Sequence, residues 1–484
     1  MSFKEYNQDQ PFLLPLSMHD FLPEGHLARL INTVINELDL RELYNKYSDL
    51  GCSAYHPQSL LKTLFYAYAT GERSSRVIAH RLNSDIAYMY LAALQKPDFR
   101  TVNRFRKDNA AVLKGLFVQV VRLCVGMGMT KVGMIAIDGT KLKANASYRK
   151  TMKAAELDEQ IAEIDRQIDA ILKESEETDR CEDEQHGSDG NLYEIPEVLE
   201  DQKELQERLW QAKEALKESE AKEINLTDRE AATMLHKGYR PEPSYNGQIA
   251  VDGDSGVIVA ATLTDNPADY NALVELIEQT EENTGRVPTE VLGDSGFSSY
   301  DNLSYLEERG IDGYIPDQKI ESIRKGTCKH PEFHKSRFSY DEATDTYACP
   351  MGQTLAYKTT MRRTGQSDIR LYKCEACAEC SRKSECTRAE YRQISRDARE
   401  RLMQWMTEKL KTPEGKRKYG RRKYTVEPVF GDMKYNRGMR QLLLRGKLKA
   451  KGEFLIMCIA HNLKKIAKYI KTMGDNLQLE PMLA

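Results

Sequence analysis

The sequence predicts an α/β protein, a mixed sheet with flanking helices preceded by an all-helical region. Three observations carry that reading. Residues 1 to about 110 place apolar side chains at helical spacing. From Val132 onward, short apolar runs ending in acids alternate with helical stretches. The resulting order of three strands, helix, strand, helix, strand belongs to a sheet with antiparallel pairs first and parallel crossovers later.

In the helical region, Pro57 opens an apolar run over 59–68 that ends near Gly71. A second helix is expected over 74–94, with Val77, Ile78, Leu82, Ile86 and Met89 on one stripe. Asp98 is placed to cap a third helix, whose Arg100, Arg104, Arg106 and Lys107 form a basic face. Such a series fits a helix-turn-helix type of DNA binder, and equally a helical bundle with a solvated basic face. The strands follow at 134–138, 246–252, 256–264, 288–294 and near 313–316, with helices over 271–283 and 300–309 between the later ones. Between the first and second strands, Leu157, Ile161, Ile164, Ile168 and Ile171 form one heptad seam, and Leu205, Leu209, Ala212 and Leu216 another. A polar stretch without periodicity, 174–191, separates them, so an antiparallel helical hairpin with a loose acidic tip is expected.

At 484 residues and 55.4 kDa the chain has length for about three domains. Its 40% apolar and 30% charged residues describe a foldable chain. The longest near-apolar run, 454–460, is too short to span a bilayer, and the N-terminus lacks the basic-then-apolar order of a signal peptide. Membrane and secreted classes are thereby set aside, and a cytoplasmic location is expected. The net charge of −3 conceals an asymmetry: residues 151–225 carry −15, whereas 401–470 carry +14 from 19 Lys/Arg and 5 Asp/Glu. Screening confines surface fields to about 8–10 Å, so a polyanion would feel the local balance, which favours nucleic acid.

Five of the ten cysteines fall between Cys349 and Cys386, as Cys349-Pro-Met-Gly followed by Cys374-x2-Cys377-x2-Cys380-x5-Cys386. That spacing suits a tetrahedral zinc ion; without a secretion signal, disulfides are the weaker alternative. The expected ligands are Cys349, Cys377, Cys380 and Cys386, with Cys374 as the alternative, and Cys328, His330 and His334 as weak competitors. A site closed by four thiolates is structural. Cys52, Cys124, Cys458 and Trp405 sit among apolar neighbours and read as core.

Two acids stand at strand ends before glycine turns: Asp138 in AIDGTKLKANAS and Asp294 in VLGDSGFSS. A third, Glu427 in VEPVFGDMKYNRG, begins a helical segment in which Lys434, seven residues on, returns to the same face. Three hard oxygen donors converging on an open site are what two Mg²⁺ (or Mn²⁺) ions need for in-line phosphoryl transfer. Asp252, Asp265 and Asp269 lie near the same sheet and read as turn and helix-cap residues.

Taken together these motifs resemble the DDE transposases of bacterial insertion sequences, in particular the group with a Tyr-Arg-Glu-Lys signature. HPQSLLKTLFYAYATGERSSRVIAHRL and PDFRTVNRFRKDN are similar to the helical domain preceding their catalytic domain, IDGTKLKANAS to the first-acid motif, GDSGFSS to the second, and VEPVFGDMKYNRGMRQLLLRG to the third-acid helix. YACPMGQTL with YKCEACAECSRKSECT looks like the cysteine-rich insertion. The resemblance implies an RNase H-like catalytic domain over 113–326 and 396–472, with 151–225 as the inserted hairpin. It further implies a DNA-binding helical domain over 1–112, a zinc-ribbon-like insertion over 327–395 and a tail over 473–484. It also implies the triad Asp138, Asp294 and Glu427. Lys434, Tyr419, Arg422, Arg437, Arg440, Arg104, Arg106 and Lys141 would meet phosphates. In the signature, Arg422 stands one residue too far from Glu427, and the in-register positions are Gly420 and Lys423. The implied activity is cut-and-paste movement of an element by hydrolysis and strand transfer on double-stranded DNA, at terminal inverted repeats and target, by a homodimer or larger assembly. No Walker-type phosphate loop is present, consistent with transesterification that needs no ATP. A nuclease with the same metal site, or a non-catalytic zinc-containing DNA binder, are the competing readings.

Overall fold

The structure, a computed structural model, describes residues 17–47, 53–186, 197–219, 221–236, 240–363 and 366–473. Cys52, the hairpin tip at 187–196 and the tail from 474 lie outside the described residues.

The helical region forms as expected in outline. Pro57 occupies the first turn of the helix Pro57–Ala69, where its missing N–H costs nothing. The stretch expected as one helix over 74–94 is two, Ser75–Arg81 and Ile86–Leu91. Asp85 is the reason: its carboxylate accepts the N–H of Ala87 and starts a new helix, and the change of direction leaves Val77 and Ile86 exposed. Asp98 caps Phe99–Asp108 by accepting the N–H of Thr101 at 2.7 Å.

The central sheet contains β1 (Met134–Lys143), β2 (Pro241–Asp252), β3 (Ile258–Thr264), β4 (Glu290–Leu292) and β5 (Asp312–Tyr314), in the order β3-β2-β1-β4-β5. β1 pairs antiparallel with β2, to which the inserted hairpin leads, and β2 pairs antiparallel with β3 through a short turn. β4 and β5 run parallel to β1, each reached by a crossover helix, α1 (Ala272–Thr284) and α2 (Tyr300–Glu308). The predicted mixed sheet is thus present.

Three C-terminal elements complete this body: α3 (Arg422–Thr425), α4 (Glu427–Gly431) and the long α5 (Lys447–Met473). Helix α5 is apolar around most of its middle, the pattern of a helix covered on several sides. It packs against the sheet and the N-terminal helices together, so both belong to one continuous apolar core. Within that core Glu453 is fully buried. It accepts from Arg73 at 3.0 Å, from Tyr68 Oη at 3.2 Å and from the backbone N–H groups of Leu443 and Leu444.

Two insertions keep cores of their own. The hairpin Ala154–His186 with Glu197–Glu218 buries Leu157, Ile161, Ile164, Ile168, Leu209, Ala212 and Leu216, as the heptads predict. Leu205 is exposed instead, and the first helix continues to His186 through the stretch expected to be loose. Residues 339–397 form an antiparallel five-stranded sheet around Tyr347, Leu355, Tyr372 and Ile394.

Glu453→Ala would leave the Arg73 guanidinium buried without its partner, and should lower the unfolding free energy of the full-length protein by about 3–5 kcal/mol in chemical denaturation. Lys447→Ala, at an exposed ion pair with Asp265, should cost at most about 1 kcal/mol.

Candidate active site

The first two acids are brought side by side by strand register. β1 and β4 pair in parallel from Met134↔Glu290 to Ala136↔Leu292, so Asp138 and Asp294 lie level, two residues beyond the last pair. The strand expected to end at Asp138 runs on to Lys143, so Asp138 lies mid-strand; its Oδ1 accepts the N–H of Gly139 at 2.9 Å, and Asp294 Oδ1, on the loop after β4, that of Gly296 at 2.8 Å.

The third acid comes from α4, and Arg422 links it to the first. The guanidinium lies 2.9 Å from Asp138 and 3.5 Å from Glu427, and feels the charge of Asp294 as well. Burial disfavours the Arg422 cation, but Asp138, Asp294, Tyr419 and Glu427 outweigh it and raise its pKa. Burial raises Asp138 to about 6, with Arg422 opposing and Asp294 reinforcing the rise. Glu427, with half its side chain exposed, is the open side of the cluster.

The extra residue between Arg422 and Glu427 is absorbed by a break. Helix α3 ends at Thr425, Val426 intervenes, and Pro428 stands in the first turn of α4. A continuous helix would not set a five-residue spacing on one face; the break lets Arg422 reach Glu427. The following segment, Asp432–Asn436, is a single wide π turn, so the ideal two-turn geometry expected for Glu427 and Lys434 does not apply. Lys434 instead donates to the carbonyl of Lys141 in β1 at 3.1 Å. Burial lowers its pKa, against the pull of Asp138. Tyr419 is half-buried beside Arg422, and burial raises its pKa.

The residues expected at phosphates divide. Arg104 and Arg440 are exposed, the latter stacked on Tyr435, and Lys141 donates to the carbonyl of Leu235. Arg437 and Arg106 are corrections. Arg437 is 2% exposed, ion-paired with Asp432 and bonded to His461. Arg106 is 4% exposed and donates to Tyr68 Oη and to the carbonyl of Arg73. Both hold the core together. Trp405 departs from expectation the other way, 56% exposed under the ammonium of Lys409.

Of the acids read as turn residues, Asp252 accepts from Val132, Ser255 N–H and Ser255 Oγ, and Asp265 pairs with Lys447. Asp269 does neither: its side chain caps no helix and accepts from Asn246 and Gln248 of β2. Local sequence could not place it, because its partners are set by the sheet.

Cys349, Cys374, Cys377, Cys380 and Cys386 line one cavity of about 20 Å³, and the described cysteines form no disulfide. The N–H of Gln353 donates to Cys349 Sγ and that of Arg392 to Cys377 Sγ. Cys124 and Cys458 are buried in the core, whereas Cys328 is absent from the cavity lining. Among the described residues, no three His, Cys, Asp or Glu side chains stand close enough to hold an ion as they are. No single described helix is long and apolar enough to cross a membrane.

Comparison with known families bears on the two ends of the chain. Residues 16–108 match a family described as Transposase domain (DUF772), and residues 348–467 one described as Transposase DDE domain. Both matches support a DDE transposase of insertion-sequence type. No curated protein and no solved structure matches it. The transposase match at 348–467 includes the cysteines, Arg422, Glu427 and Lys434, but neither Asp138 nor Asp294. The fold alone joins those two acids to the matched segment.

The raised pKa of Asp138 means that the folded protein holds this proton more tightly than the unfolded chain does. Its contribution to stability is therefore complete below about pH 4 and is lost as pH rises through about 6. Wild type should lose stability relative to Asp138→Asn between those values in denaturation experiments; a pH-independent difference would contradict the assignment.

Proposed function

We propose that this transposase moves an insertion sequence by cut and paste, using Asp138, Asp294 and Glu427 as its catalytic acids. The observation that carries the reading is the gathering of three carboxylates, from β1, the loop after β4 and α4, around the single guanidinium of Arg422. The strand order supports an RNase H-like reading of the sheet.

The donor set fits hard divalent cations, since carboxylate oxygens are their preferred ligands and Arg422 already marks a place where positive charge is stabilised. Bound there, Mg²⁺ or Mn²⁺ would neutralise the phosphate and acidify the attacking water or 3′-hydroxyl. The chain's own residues do the rest. Asp138, Asp294 and Glu427 would hold the cations, and Arg422 balances the acids when no cation is bound. Lys434, Lys141 and Arg440 would meet the DNA backbone, and Tyr419 stands near Arg422. Water is directed first at the phosphodiester of an element end. The released 3′-hydroxyl then attacks target DNA at the same acids. Terminal repeats from two element ends require at least two subunits in the working complex.

The cysteine cavity supports a structural zinc in the 339–397 sheet. Backbone N–H groups donating to sulfur, as Gln353 and Arg392 do, stabilise thiolates, and four thiolates would close the site. Purified protein should contain about one zinc per chain by elemental analysis, and Cys377→Ser should lose it.

Labelled element ends incubated with protein and Mg²⁺ should be cleaved and joined to target DNA. Asp294→Asn should reduce cleavage by at least about a thousandfold while leaving DNA affinity within about twofold. Undiminished cleavage by that variant removes Asp294 from the triad. Cleavage without joined product favours the nuclease reading. Because Asp138 must ionise to take a cation, cleavage should also fall as pH drops below about 6.

A further inference from the structure

We propose that Asp269 is a fourth carboxylate of the catalytic centre, holding divalent cation together with Asp294; this rests on the reading of the site just given. Asp269 lies in the loop between β3 and α1, where it meets β1 at Gly139 and the loop that carries Asp294 at Gly296. Two glycines make that approach possible. A Cβ on Gly139, the residue after Asp138, would stand 2.6 Å from Asp269 Oδ1. A Cβ on Gly296 would stand 2.9 Å from Asp269 Oδ2 and 2.9 Å from Asp294 Oδ1. Both distances are shorter than real Cβ contacts allow, so a side chain at either position would drive the carboxylate away. One oxygen of Asp269 and one of Asp294 thus border the space that Gly296 leaves open.

The support beneath Asp269 has the form of a site. Asn246 Nδ2 and Gln248 Nε2 both donate to Oδ1, at 2.8 and 2.5 Å, from side chains 1% and 0% exposed. Two buried amides committed to one oxygen hold the carboxylate in place. The other oxygen, Oδ2, has no hydrogen-bond partner among the described residues and lies beside Gly296. Each amide also leaves its own carbonyl oxygen, Asn246 Oδ1 and Gln248 Oε1, buried without a partner. That of Gln248 lies 2.7 Å from the position a Cβ on Gly139 would take. Buried acceptors left unpaired beside a carboxylate lack a positive partner, and their cost is high unless something binds there.

Charge points the same way. With Arg422 lodged among Asp138, Asp294 and Glu427, one of the three negative charges is cancelled. Asp269 touches no cationic side chain among the described residues, so it restores the negative charge that a pair of divalent ions needs.

The test is Mn²⁺ binding by the full-length protein, with and without a DNA end, read from the free-ion electron paramagnetic resonance signal. Asp269→Asn should weaken Mn²⁺ binding about 10–100-fold. Asp265→Asn, in the same loop but paired with Lys447, should bind as wild type does. Gly296→Ala keeps every acid and places a methyl between the two carboxylates; it should weaken binding too, and serves if Asp269→Asn does not fold. Wild-type affinity in Asp269→Asn or in folded Gly296→Ala, with affinity lost in Asp294→Asn, overturns the fourth carboxylate and leaves the triad standing. Unchanged binding in Asp294→Asn instead overturns the triad, and this proposal with it.

Discussion

The burial of Glu453 constrains the whole molecule. A carboxylate with no access to water must be surrounded by donors, and here they come from two distant parts of the chain: Tyr68 and Arg73 from the N-terminal helical region, and the backbone of 443–444 from the segment after the wide π turn. Arg73 also donates to the carbonyls of Gly438 and Gln441. The same segment bonds β1 through Lys143, whose N–H donates to Arg440 and whose carbonyl accepts from Leu442. The stretch carrying Glu427 and Lys434 is thus tied to the first-acid strand through helices some 370 residues away in sequence. The N-terminal helices are therefore part of the scaffold of the site as well as a candidate DNA-binding surface.

At the site itself the governing problem is negative charge out of water. Burial disfavours the ionised carboxylate and the neighbouring Asp294 adds to it, which the raised pKa of Asp138 records. Arg422 relieves this as an internal counter-charge, and the interruption at Val426 is the local device that lets it do so. The wide turn that follows re-aims Lys434 towards β1. Irregular helix is thus concentrated in the dozen or so residues where regular geometry would miss the acids.

The two insertions follow a different logic. Each has an apolar cluster of its own, so each can be added between strands without disturbing the central core. The acidic hairpin leaves β1 and returns before β2, and the cysteine-bearing sheet stands between β5 and α3. Both lengthen the chain between acids that remain adjacent in space.

Much of this was legible in the chain. Apolar spacing determined the helices, the mixed sheet and the heptad hairpin, because burial of a periodic face is a local property. Acids before glycine identified Asp138 and Asp294, but β1 runs on through Gly139 to Lys143, so Asp138 lies mid-strand and only Asp294 stands beyond a strand end. Charge alone could not tell a surface arginine from a structural one, so Arg106 and Arg437 were assigned to DNA although the core claims them. The split of 74–94 into two helices hung on one capping carboxylate, Asp85. Only the tertiary structure decided that Arg422 reaches Glu427 across an extra residue and that Asp269 sits between two glycines. Those outcomes depend on strand register and a helix break, which long-range packing sets and no window of neighbouring residues contains.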